Sequence, residues 1–249
     1  MSAAKAISND QSRAEALVAM IPHLPAFERR PASAEILATV RLCSEYKGID
    51  VPAKLVPHLP ADELPRALAV AKAFTSPGSR ADALTRLVPH VPVSLRPEVL
   101  TEALVAARAS GDHRPWALIA LLPYLPASQQ REALTQALAA AILIKDNELQ
   151  DAALGVLAPL LPCDLLPKAV TATSNEMTRG ALLERAQSLI SDDNSETALK
   201  LLHDSLTALT RESCLVVLRA AAVIIEKTGG PDSVQECICA IRDVNRWWP

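Results

Sequence analysis

The chain has 249 residues, half of them hydrophobic but only 3% aromatic, with 25 Lys/Arg against 28 Asp/Glu for a formal charge of -3. This near balance gives no electrostatic reason to expect nucleic acid as a partner, and no run approaches the ~18 apolar residues of a membrane span. The opening MSAAKAISND lacks the apolar core of a signal peptide, and the five scattered cysteines (Cys43, Cys163, Cys214, Cys237, Cys239) read as reduced, buried thiols of a soluble cytoplasmic protein.

A thirteen-residue phrase organises the first two thirds of the chain. It runs RAEALVAMIPHLP from Arg13 to Pro25 and is worn to GIDVPAKLVPHLP between Gly48 and Pro60. It returns as RADALTRLVPHVP (Arg80 to Pro92), RPWALIALLPYLP (Arg114 to Pro126) and QDAALGVLAPLLP (Gln150 to Pro162). The closing prolines are 35, 32, 34 and 36 residues apart, and a period of this size marks a helical solenoid whose units bury their apolar faces against neighbours.

Counted from the first residue of the phrase, apolar side chains recur at positions 5, 8, 9 and 12, as in Leu17, Met20, Ile21 and Leu24. That is the stripe of an amphipathic helix, designated A. Position 10 is proline in five copies (Pro22, Pro57, Pro89, Pro123, Pro159). It removes a donor and crowds the preceding turn, so helix A should tighten or kink just before its end. The closing proline should start a second helix, B, clearest in Leu95 to Arg108 and Gln130 to Ile142. Short polar turns, Ser76-Pro-Gly-Ser79, Ser110-Gly-Asp-His113 and Lys145-Asp-Asn147, separate successive units.

The last third keeps the period without the prolines. Arg179-Gly-Ala-Leu-Leu183 opens a sixth unit; Glu196 to Leu209 supplies its B helix, and Arg211-Glu-Ser-Cys-Leu215 opens a seventh. Gly229-Gly230 should stop the helix predicted over 211–227, and Pro231-Asp232 should start a final one. Ala6-Ile-Ser-Asn-Asp-Gln-Ser-Arg13 matches Ala172-Thr-Ser-Asn-Glu-Met-Thr-Arg179, so the chain is expected to begin within a B helix, as part of a longer array or as one without an amino-terminal cap.

Chemistry-bearing residues are few. His23, His58 and His90 share position 11 of successive units. Stacked helices stand about 8–10 Å apart, whereas metal ligands converge within about 2 Å of one ion, so these histidines are expected to be structural. Arg13, Arg80, Arg114, Arg179 and Arg211 begin A helices close to Asp10, Asp112 and Glu176. They read as an inter-repeat ladder of salt bridges and carbonyl contacts, or as an anion-binding stripe; the neighbouring carboxylates favour the ladder. Trp116 is expected in the core, while Trp247 and Trp248 either plug the last unit or anchor a partner. There is no phosphate-binding glycine loop, nucleophile elbow or zinc-protease motif, so no catalytic, cofactor or metal residue is assigned.

The phrase R-x-x-[AL]-L-x-x-L-x-P-x-L-P, its [ND]-x-x-R lead-in and the ending Ala240-Ile-Arg-Asp-Val-Asn-Arg-Trp-Trp-Pro249 resemble the HEAT-like arrays at the carboxyl end of bacterial STAND-type signalling ATPases of the NACHT or NB-ARC class, and of related conflict-system proteins. The resemblance implies one all-α domain over residues 1–249, a right-handed α-solenoid of six to seven HEAT-like hairpins. Residues 1–12 would end a preceding repeat helix, 13–177 form the regular repeats, and 178–249 form degenerate repeats and a cap. It also implies a non-catalytic sensor or regulatory arm that binds a protein, peptide or other ligand, or its own amino-terminal ATPase module, although no ATPase motif is present in this chain. By analogy with other helical-pair solenoids the B helices line the concave side. Arg66, Lys72, Glu102, Arg108, Arg131 and Gln136, with Trp247 and Trp248, are then the candidate partner-binding residues. The alternatives are a HEAT-like enzyme or nucleic-acid modifier using that groove, and a freestanding oligomerising scaffold.

Overall fold

A computed structural model describes residues 7–40, 50–59, 61–173, 175–189, 222, 224–227 and 229–247. Among them the regular elements are helical and no strand occurs, so the chain is all-α. It divides into two compact units, Met1–Ala133 and Leu134–Pro249. In the first, A helices α1 (Asp10–Met20), α3 (Asp50–Leu55), α5 (Pro77–Leu87) and α7 (Arg114–Leu121) alternate with B helices α2 (Ala26–Val40), α4 (Leu64–Lys72) and α6 (Arg96–Arg108). The boundary falls within α8 (Ala127–Ile142). The second unit holds α9 (Asn147–Leu157), α10 (Leu166–Ala172), α11 (Glu176–Leu189) and α12 (Pro231–Trp247).

The repeated apolar stripe is buried within each unit. Leu17, Leu84, Leu118 and Leu154, all at position 5, are each 0% exposed. Within the first unit α1 packs on α3, α3 on α5 and α5 on α7, while each of α1 and α5 also packs on the B helix that follows it. Small residues such as Ala81, Ala103 and Ala107 are fully buried and let these helices approach closely.

Position 10 acts as its chemistry requires. In all five copies the A helix passes into one turn of 3-10 helix, at Ile21–His23, Val56–His58, Val88–His90, Leu122–Tyr124 and Ala158–Leu160. Position 12 then turns extended, with ψ of 145° at Leu24, 151° at Val91 and 135° at Leu161. The closing proline leads directly into the B helix at Pro25 and Pro126, whose carbonyls accept from Glu28 and Gln129. After Pro92 and Pro162 a further turn intervenes, and a second proline, Pro97 or Pro167, occupies the first turn of the helix instead. The expected rule therefore holds at two corners and shifts by one turn at these two.

An extended residue at position 12 leaves its carbonyl outside any helical ladder, and a buried carbonyl needs a donor. Four residues beyond the closing proline, a side chain supplies it. Arg29 donates Nε to the Leu24 carbonyl at 2.9 Å, Arg96 does so to Val91 at 3.2 Å, and Gln130 donates Nε2 to Leu125 at 3.0 Å. The same side chains reach a second carbonyl at Pro22, Pro89 and Leu122. These clasps fix the corner between A and B.

Four A helices, α1, α5, α9 and α11, have a side-chain cap at the residue just before the first position of the [ND]-x-x-R lead-in. Asn9, Ser76, Asp146 and Asn175, each four residues before the first position of the phrase or its equivalent, accept amides of the first turn. Ser76-Pro-Gly-Ser79 and Lys145-Asp-Asn147 are thus largely helix starts, not free turns. Ser110 departs from the pattern: a 3-10 turn, Gly111–His113, begins there, with Gly111 at φ 58°, a conformation that favours glycine. At the far end Gly230, at φ 88°, donates its amide to Glu226 and precedes α12, as the paired glycines suggested. Most of the helix predicted over 211–227, the segment 196–209 and Arg211 lie outside the described residues.

Candidate functional site

The described B helices of the first unit carry a series of ion pairs that joins each to the next. Arg30 on α2 pairs with Asp62 and, at 3.2 Å, with Glu63 in the turn before α4. Lys72 at the end of α4 meets Glu98 at 3.1 Å and Glu102 at 3.3 Å on α6. Arg108 at the end of α6 reaches Glu132 on α8 at 3.5 Å. Glu63 is buried; Arg30 bonds its Oε1, and Arg66 stands 3.8 Å from Oε2, beyond hydrogen-bond range. The Glu98 hydrogen bond above all, with Glu102 adding to it, raises the Lys72 ammonium above its ordinary value of 10.5, against the opposing effect of burial.

Beside the last of these pairs a groove of about 250 Å³ runs between α6 and α8. Leu104, Val105, Leu125 and Ala133 give it apolar walls, and Arg108, Gln129 and Glu132 give it a polar rim. Val105 is 60% exposed and presents its apolar side chain at the groove wall. Compensated charges around an apolar trough are the makings of a recognition surface.

The sequence-derived candidates separate on this map. Lys72, Glu102 and Arg108 belong to the inter-helix pairs, and Arg66 adjoins the buried carboxylate. Arg131 is exposed on α8 outside the groove, and Gln136 is half-buried further along that helix. Trp247 ends α12 with its side chain outside the described residues, as is all of Trp248. Glu98, Val105, Gln129 and Glu132 were not anticipated; Glu98 and Glu132 pair with Lys72 and Arg108, 26 and 24 residues away at non-equivalent repeat positions, so register carried no signal for them.

Other expectations are corrected. The arginines that begin A helices show carbonyl contacts of their own segment: Arg13 donates to Ile7 and Arg179 to Thr173, each six residues back. This shared bond is the structural content of the matching segments Ala6 to Arg13 and Ala172 to Arg179. A separate series of ion pairs links the B helices. Trp116 is half-buried, lining a groove between α5 and α7, where full burial in the core was expected. Of the cysteines expected to be buried, Cys163 and Cys237 are half-buried and Cys239 is exposed; Cys43 and Cys214 lie outside the described residues. Burial, assisted by Asp164, raises the Cys163 thiol above its ordinary value. His23 and His90 are exposed and His58 is half-buried.

Among the described residues no group of three or more His, Cys, Asp or Glu side chains is placed to hold a metal ion, and no helix is long and apolar enough to cross a membrane. Compared with known proteins, the chain matches no family model, no curated sequence and no solved structure.

Proposed function

We propose that this all-α chain is a non-catalytic, HEAT-like repeat scaffold, a right-handed solenoid whose B-helix side receives a protein partner. The groove between α6 and α8 carries the proposal, with Val105 displayed at its wall and Arg108 and Glu132 at its rim. An apolar centre bordered by polar groups supplies both desolvation and orientation to an incoming side chain. The repeat phrase and the RWWP ending support a further step, in which the array is the cytoplasmic sensor or regulatory arm of a bacterial STAND-type signalling or defence protein.

A photo-cross-linking amino acid placed at Val105 in the native host tests the reading. It yields one discrete partner, which a charge reversal at Arg108 removes, while the same probe at the exposed Leu143 yields none. Equal labelling from both positions sinks the proposal. For the sensor-arm step, the reading frame upstream of Met1 decides: an ATPase module there supports it, and a stop codon removes it.

A further inference from the structure

The A-helix side of the first unit holds a second groove, unrelated to the partner surface. Its volume is about 320 Å³, at the lower end of the ~300–1,000 Å³ typical of small-molecule sites. One wall is the face of α5 bearing Ser79, Asp82 and Thr85; the other is the face of α7 bearing Trp116, Ala117 and Ala120. Gly78 and the two alanines keep it open, since larger side chains there would fill it.

We propose that this groove binds a small amphiphilic amine, with its ammonium on Asp82 and its apolar body against Trp116. The Ser79 hydroxyl lies buried behind this wall, 4% exposed by residue and with no hydrogen-bond partner among the described residues, so it meets a ligand only when its side chain rotates toward the groove. The Thr85 hydroxyl, by contrast, is already committed to the Ala81 carbonyl at 2.7 Å. Asp82 brings a carboxylate to the same wall. Arg86 engages its Oδ2 at 3.1 Å, in a pair that is open to solvent on both sides. A carboxylate has about four lone-pair sites, so an ammonium can share or displace that weak contact.

Trp116 completes the selection for a cation. Half-buried and held in a tilted contact with His113 at 6.1 Å between ring centroids, it lines the groove with an indole ring whose face attracts positive charge. The comparable groove between α1 and α3 lacks this combination. It is lined by Glu15 and Lys54, whose charges offset each other, and it has no Trp, Tyr or Phe.

Phenethylamine is a suitable probe, with 2-phenylethanol as the uncharged control of similar size. In a titration of the full chain, the indole N–H resonance of Trp116, assigned by its loss in Trp116→Phe, should shift saturably with the amine at millimolar concentration or below. Asp82→Asn should weaken binding by about tenfold or more, and Arg86→Ala should strengthen it, because an opposing cation has been removed. Ala120→Phe, which fills the groove from its exposed rim, should abolish the shift without depending on how Asp82→Asn folds. No saturable shift, equal binding of the alcohol, or an unchanged affinity in Asp82→Asn overturns the assignment. Cross-linking at Val105 is independent of all three results.

Discussion

Arg185 on α11 donates its Nε to the carbonyl of Leu161 at 3.2 Å, and so fills from another helix the place that Arg29, Arg96 and Gln130 fill from their own units. In the unit that ends at Pro162 the clasp position is Leu166, a buried residue that cannot donate. The need of an extended position-12 carbonyl for a partner persists, and the neighbouring helix meets it.

Removing a clasp exposes that need. Arg96→Ala and Arg185→Ala should each lower stability by about 1.5–3 kcal/mol, the range for a hydrogen bond that involves a charged group. Urea unfolding followed by circular dichroism measures it. A loss below a few tenths in both variants would mean that water serves these carbonyls equally well.

Capping gives a second, graded outcome. Asn9→Ala and Asp146→Ala should each cost about 1 kcal/mol. Asn175→Ala should cost at least as much, because Asn175 accepts amides from both Met177 and Thr178. Ser76→Ala should cost least, its contact with Ser79 being 3.5 Å long. Thermal melts of the four variants check the order.

The buried stripe predicts a contrast between leucines. Leu84→Ala and Leu118→Ala, at fully buried sites, should each destabilise the chain by about 2–5 kcal/mol through lost transfer energy and the cavity left behind. Leu143→Ala, at a residue 77% exposed, should change it by no more than about 0.5 kcal/mol. Similar losses at all three sites would contradict the burial pattern.

Lys72 links stability to alkaline pH. Its raised value means that folding favours the protonated ammonium. The resulting stabilisation is fully present below the unfolded value of 10.5 and is lost as pH rises through the higher folded value. Lys72→Met should therefore melt below the wild type near pH 8, and the gap should close as pH rises above 10.5 and through the higher folded value. A gap that persists there would come from packing of the side chain, not from its charge.

Much of this organisation was legible because it is local. Proline at position 10 dictates a tighter turn wherever it occurs, and Leu17, Leu84, Leu118 and Leu154 repeat a helical stripe that only burial within a unit explains. The corner clasps were missed since position 17 changes from Arg29 and Arg96 to Gln130 and Leu166, identities that share no pattern until a common acceptor is visible. Ion pairs such as Arg108 with Glu132 depend on how one hairpin sits beside the next, and no periodic rule supplies that. Trp116 misled for a simpler reason: large apolar residues usually fill cores, and here small neighbours leave its ring beside an open groove.

The clasps at Pro25, Pro92 and Pro126 each close a loop of eight residues or fewer. Contacts so near in sequence form quickly, because little chain entropy is lost in making them. Such corners can set as the nascent chain emerges, each before the next hairpin has been synthesised. The corner at Pro162 must wait for Arg185, 24 residues after its acceptor, and is therefore the one whose closure reports that a later helix has already docked.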